Sequence, residues 1–269
     1  MKTILRPLVT LLGLLAVWWA VARFAGIPDF LLPGPGEVAQ VLAAQRGFLF
    51  QNALVTLVEI MLGLGLGTLF GGLLALAMVF SRGLQRWLLP LLLLSQAVPV
   101  FALAPLLVLW LGFGLASKVL MAVLVIFFPV TAAFYDGLRR TEPGWLDLAR
   151  TMGASNFSVL VRVRLMAALP AFGAGLRIAA AVAPIGAILG EWAGASQGLG
   201  YVMLNANARM QTSLMFAALV LLAGMTILLW VAVDMLLKKL LHWAPDMYGV
   251  RSAFRVWKSA SGRERPGRF

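Results

Sequence analysis

Six runs of nearly unbroken apolar residues dominate this 269-residue chain, at about 8–24, 54–80, 87–111, 119–138, 165–189 and 214–241. A helix crossing a bilayer needs about 20 such residues. In lipid every backbone polar group must be satisfied internally, which leaves helices and closed barrels as the only spanning structures. The runs therefore predict an all-α integral membrane protein with six transmembrane helices. Only 12% of the residues are charged, against roughly 25% in soluble domains, so the lipid bilayer is the expected surrounding. Lys2 and Arg6 before the first run resemble the start of a signal peptide. That run is long, contains Trp18 and Trp19, and is not followed by a small-x-small cleavage pattern, so it reads as an uncleaved span.

Lys and Arg fall unevenly among the connecting segments. With the N-terminus placed inside, seventeen lie on the inner side and four on the outer side, and Arg177 falls within a span. The positive-inside tendency then predicts cytoplasmic N- and C-termini. The same distribution accounts for the net charge of +12 as membrane orientation, without a nucleic-acid partner. The chain has no cysteine, and its one histidine is His242. No disulfide framework or thiolate metal site can form, and no metal site is expected.

Proline and glycine mark where the spans bend and touch. Pro90, Pro99 and Pro105 all fall in the third run. Each removes a backbone donor and kinks a helix. Gly63, Gly67 and Gly71 are spaced four apart in the second run, which places them on one helix face for close packing. No strand precedes these glycines and no phosphate-binding loop is present, so the chain is expected to bind no ATP itself.

The longest inner loop, 139–164, is polar and helix-competent. Pro143 suits the first turn of a helix, Gly153 suits a stop just past its end, and Ser155 or Asn156 could cap a second short helix. Trp145, Leu148, Ala149 and Met152 share one face of the first helix, with Asp147 and Arg150 elsewhere. An apolar face on so short a helix fits either a groove on a soluble partner or the lipid headgroup layer, and the residues alone leave both open.

This loop resembles the coupling loop of ABC importer permeases, which has the form Glu-Ala-Ala, three residues, Gly, nine residues, Ile-x-Leu-Pro. Asp147, Leu148 and Ala149 occupy the first three places and Gly153 the glycine, and Val163, Arg164, Leu165 and Met166 follow nine residues on. Met166 stands where the family has proline, and a Leu-Pro pair comes four residues later as Leu169-Pro170. The lead-in Leu31-Leu32-Pro33-Gly34-Pro35 and the stretch Gly198-Leu199-Gly200-Tyr201 resemble the nitrate, sulfonate and taurine permease group. Gly190 to Tyr201 and Asn205 to Gln211 look most like permeases for the hydroxymethylpyrimidine precursor of thiamine.

The resemblance implies a type I ABC importer permease fold: a first helix and lead-in over 1–30, a five-span core over 31–241 and a basic cytoplasmic tail over 242–269. It implies a multi-pass inner-membrane location and a homodimer of permeases. A separate ABC ATPase would bind ATP and Mg and dock on Trp145, Asp147, Leu148, Ala149, Met152 and Gly153, and an extracytoplasmic binding protein would deliver the solute. Nitrate, sulfonate or taurine are the alternative cargoes.

Glu59, Arg177, Glu191, Trp192, Asn205 and Asn207 are candidates for the translocation path, since ionisable groups in lipid usually face protein or water. Each also has a plain structural reading. Arg177 could tie to Glu59 or to backbone carbonyls, Trp192 could be an interfacial anchor, and Asn205 and Asn207 could form an outer turn. Asp234 is expected to pair with Lys238, and Asp136 with Arg139 or Arg140. A secondary transporter would show repeated halves, and none is evident. A membrane enzyme would need clustered acids or a histidine pair, which this chain lacks.

Overall fold

The computed structural model describes residues 2–244, with side chains from residue 9 onward. Of the expected tail over 242–269, residues 245–269 lie outside the described residues. The described elements are all helical. In chain order they are α1 (Lys2–Phe24), α2 (Pro35–Ala44), α3 (Arg46–Phe80), α4 (Arg82–Ala97), α5 (Val100–Leu111), α6 (Leu115–Arg139), α7 (Pro143–Thr151) and α8 (Asn156–Val159). A five-residue π-helical segment, Leu160–Arg164, leads into α9 (Leu165–Gly194), which is followed by α10 (Leu199–Ala208) and α11 (Thr212–Leu240).

Among the described residues four helical stretches are long and apolar enough to cross a membrane: α3, α6, the continuous run from α8 through α9, and α11. The third expected span is not one helix. It breaks between Ala97 and Val100 into α4 and α5, which meet at 100°. Pro99 is the N-cap of α5, with φ −60° and ψ 112°. The extended backbone that proline imposes around itself turns the chain here, whereas Pro90 and Pro105 stay within their helices. The first expected span is α1, a 23-residue helix whose stretch Val9–Phe24 is apolar. It touches the rest through Trp18, stacked on Phe216 of α11 with ring centroids 5.9 Å apart.

The centre of the fold is α6, held between α3 and α9 by small residues. A Cβ on Gly63 would overlap that of Ala122. One on Gly67 would lie 2.8 Å from Ile126, and one on Gly71 would lie 2.7 Å from the Phe127 carbonyl. On the other side, Gly186 meets Ala122 and Gly175 meets the Pro129 carbonyl in the same way. The expected glycine face on α3 is thus real, and α9 repeats the device on the opposite flank of α6. Close backbone approach is how helices gain packing energy when lipid and side chain are equally apolar. Outside this core, Trp87, Phe101, Leu109, Trp110, Phe113 and Leu228 are all exposed. An apolar surface this extensive belongs against lipid or another chain.

The short helices α2 and α10 are additions that the sequence did not announce. In particular 199–208 is a helix with Leu199, Gly200, Val202 and Ala206 buried, which replaces the expected outer turn around Asn205 and Asn207.

Candidate functional site

Two polar regions lie at opposite ends of the helix bundle. At one end stands α7 with the helix ends that carry Arg82, Arg86, Arg139, Arg140, Arg162, Arg164, Lys238 and Lys239. At the other end stand α10, Asn52, Lys118 and Glu191.

At the first end, α7 is built from its termini inward. Pro143 occupies the first turn and Glu142 is the N-cap. At the other terminus Gly153 adopts φ +78°. Its N–H donates to the Arg150 carbonyl at 2.9 Å, and the Ala154 N–H to the Ala149 carbonyl at 3.0 Å. This paired return is the Schellman arrangement, which favours glycine because a Cβ is strained in the left-handed region. Ser155 then caps α8, its Oγ accepting from the Ser158 N–H at 3.2 Å.

The apolar face of α7 is uncovered: Trp145 is 53%, Leu148 61% and Met152 79% exposed. With Ala149 it forms one wall of an apolar groove of about 630 Å³, completed by Val163, Met166, Ala167, Pro170 and Trp243, with Arg162 at its edge. Asp147 lies off that face and pairs with Arg150 at 3.1 Å. All six residues expected at the coupling helix therefore fall on or immediately beside α7. The π segment was not foreseen. It has no proline or glycine to announce it, and such segments often occur at functional places.

At the opposite end the candidate path residues do not form one cluster. Glu191 is 1% exposed. Its Oε1 accepts from the Thr56 hydroxyl at 2.6 Å, and its Oε2 accepts from the N–H groups of Gly200 and, at 3.2 Å, Tyr201. The Leu199 N–H donates to Thr56 Oγ1 and the Gly198 N–H to Asn52 Oδ1, both at 2.8 Å. The free N–H groups of a helix start are thus met by side chains from α3 and α9, with the carboxylate at the positive end of the helix dipole. The Trp192 indole N–H donates to the Gly200 carbonyl at 3.1 Å. Asn205 bonds back to the Tyr201 carbonyl at 2.9 Å, and Asn207 is exposed. In this conformation Glu191 and Trp192 hold α10 in place. Asn52, Thr56 and Lys118, none of them singled out from the sequence, complete the network. Beside it a polar cavity of about 470 Å³ is lined by Phe48, Gln51, Asn52, Ser196, Gln197 and Tyr201.

Glu59 is fully buried and pairs with Lys118 at 3.2 Å. The ammonium is near enough for charge pairing but not aligned as a hydrogen bond to either oxygen. Arg177 has a different partner from the one expected: its Nε donates to Asp234 at 2.7 Å, tying α9 to α11. Lys238 reaches the other Asp234 oxygen at 2.7 Å, as expected, and Asp136 meets Arg140 at 3.9 Å.

Removing one partner of a buried ion pair strands the other charge, at a cost of about 3–5 kcal/mol. Lys118→Met is therefore expected to lower the yield and melting temperature of the purified chain sharply. The double change Lys118→Met with Glu59→Gln should recover most of the loss. A double variant no better than Lys118→Met alone would show that the pair is not what Lys118 supports.

Residues 63–242 match the family described as "Binding-protein-dependent transport system inner membrane component". The chain is 54% identical over 236 residues to a "Probable ABC transporter permease protein" of Haemophilus influenzae, covering 88% of this chain and 96% of that one. It is 38% identical over 240 residues to the "Formylaminopyrimidine transport permease protein ThiX" of Halalkalibacterium halodurans, covering 89% and 96%. The fold is similar to a solved inward-facing MetNI methionine ABC transporter chain, with TM-score 0.62 at 19% identity over 73% of this chain and 97% of that one. An all-helical bundle with an exposed apolar face on α7 and this breadth of matching has one reading: the chain belongs to the binding-protein-dependent inner-membrane components, as a multi-pass permease subunit of an ABC importer and not an enzyme.

Proposed function

We propose that this permease imports a hydroxymethylpyrimidine or a related thiamine precursor. In this reading the α7 end and both termini face the cytoplasm. Two copies form the pathway, and an ATPase that carries ATP and Mg grips the apolar face of α7, while a binding protein presents the solute at the α10 end. The observation that carries the coupling role is the exposure of Trp145, Leu148 and Met152 on a helix fixed at both termini. A headgroup-lying helix needs no such fixed exit, and the clustering of arginine and lysine at the α7 end supports its cytoplasmic placement. The pyrimidine cargo is supported by the relative named for formylaminopyrimidine transport and by the stretch from Gly190 to Tyr201. Of the candidate path residues, exposed Asn207 is the one whose reach toward a solute is worth testing, since Glu59, Arg177 and Glu191 are engaged within the protein.

The test is uptake of radiolabelled hydroxymethylpyrimidine in cells unable to make it, with this chain deleted, restored or restored as Leu148→Glu. Restored uptake that depends on ATP, with Leu148→Glu at least about tenfold lower, is the expected result. Uptake indifferent to deletion would remove the pyrimidine assignment and bring taurine, sulfonates and nitrate forward. Uptake that persists without an ATPase would point to a secondary transporter.

A further inference from the structure

Next to the coupling helix, on the side away from its apolar groove, lies a second cavity of about 300 Å³. It is lined by Val79 and Phe80 from the end of α3, Arg150 from α7, and Asn156, Phe157, Val159, Leu160 and Arg164. Its lining is divided in character. Arg150, Arg164 and Asn156 supply donors, and no acidic residue lines it. The remaining five residues are apolar, with Phe80 75% and Phe157 68% exposed at its rim.

Arg162 and Arg164 are two residues apart, and on a helix such neighbours face different ways. Arg162 edges the coupling groove while Arg164 lines this cavity. Arg164 is half-buried and meets no acidic partner among the described residues. Arg150 gives one guanidinium nitrogen to Asp147 at 3.1 Å, which leaves its other donors available, since a guanidinium carries five.

The depth of the cavity follows from helix length. At 35 residues and about 1.5 Å per residue, α3 exceeds the ~30 Å hydrocarbon layer. Its last residues, Val79 and Phe80, stand just before Arg82 and Arg86 and therefore belong at the edge of the hydrocarbon, next to the headgroups. Two guanidiniums at that level match the fork geometry of phosphate oxygens, and the apolar wall beside them matches the glycerol and upper acyl carbons of the same molecule.

We infer that this cavity seats the phosphodiester of an anionic phospholipid, with Arg164 and Arg150 on the phosphate and Phe80, Phe157 and Leu160 against the chains. A lipid bound there touches both α3 and the segment joining the coupling helix to α9, so lipid composition would bear on how firmly that joint is held. The inference uses neither the solute nor the ATPase, and it stands or falls apart from both.

The experiment is native mass spectrometry of the full chain released from nanodiscs of mixed phosphatidylglycerol and phosphatidylcholine. Parent, Arg164→Gln, Arg164→Lys and Arg46→Gln are compared, Arg46 being at the opposite end of α3. Retained phosphatidylglycerol should exceed phosphatidylcholine. It should fall about tenfold in Arg164→Gln, fall less in Arg164→Lys, which keeps the charge without the fork, and stay unchanged in Arg46→Gln. Should Arg164→Gln fail to fold, the Arg164→Lys and Arg46→Gln comparison still decides the matter. Equal retention of the two lipids, equal loss in Arg164 and Arg46 variants, or displacement of the lipid by millimolar inorganic phosphate would overturn the lipid seat. The last result would mark the cavity as a site for free phosphate.

Discussion

Gly153→Val is expected to abolish most ATP-driven uptake while the protein still inserts, folds and elutes as a single species in detergent. The reason is the separation of steric from conformational cost at this position. A Cβ at Gly153 meets nothing within 4 Å, so no neighbour is displaced, but φ is +78°. The left-handed region costs an ordinary L-residue about 1–2 kcal/mol, and a β-branched side chain is a poorer fit still. The chain can escape that cost locally by unwinding the last turn of α7, which breaks the two returning hydrogen bonds from Gly153 and Ala154. The apolar face of α7 then leaves the direction set by its cap, while the α3, α6 and α9 core is untouched.

A loss of at least about tenfold in uptake corresponds to about 1.4 kcal/mol, within the strain available. Gly153→Asn, which tolerates the left-handed region, should stay within about twofold of the parent. Transport by Gly153→Val at the parent rate would show that the exit angle of α7 does not govern coupling. Equal failure of Val and Asn would point to the side chain itself as the obstruction at the partner's surface.

What could be read from the sequence and what could not divides along sequence distance. Pro143, Gly153 and Ser155 act within one or two turns of where they stand, so the limits of α7 and the start of α8 were visible as letters. The glycine face of α3 was visible because its period is that of a helix. The break between α4 and α5 was visible only as a kink, because three prolines in one run do not say which of them turns the chain through a right angle. Pro99 does so because it caps a new helix instead of lying inside one. The pairing of Arg177 with Asp234 spans 57 residues, and that of Glu59 with Lys118 joins two helices, so nothing in local pattern selects either over its rivals. Lys118 in particular stands just before the apolar run at 119–138 and reads from the sequence as a loop charge. It is 8% exposed because α6 begins earlier than its apolar run does. The helix α10 leaves no local signature, because its ten residues are too few to span a bilayer and its N-cap, Gly198, offers no side chain. Its capping groups come from α3 and α9.

That borrowed cap makes Glu191 the residue whose loss should cost the fold most. Glu191→Ala removes the acceptor for the Thr56 hydroxyl and for the N–H groups of Gly200 and Tyr201, of which Thr56 and Gly200 are buried and Tyr201 is half-buried. A buried donor left without a partner costs about 1–3 kcal/mol. A fall of about 8 °C or more in melting temperature is expected at 2–4 °C per kcal/mol, with Glu191→Gln falling less because one amide oxygen still accepts. Gly198→Ala should be nearly as damaging for a different reason. Its φ is +115°, and its Cβ would occupy the space of the Glu191 carboxylate. Since both changes act on the same few atoms they should not add. In the Glu191→Ala background the added methyl no longer meets the carboxylate, while its φ of +115° still strains it, so the double variant should melt below Glu191→Ala alone but by less than the sum of the two losses. Melting of Glu191→Ala at the parent temperature would mean that α10 is held by its buried apolar residues, and that the carboxylate is free for a passing solute after all.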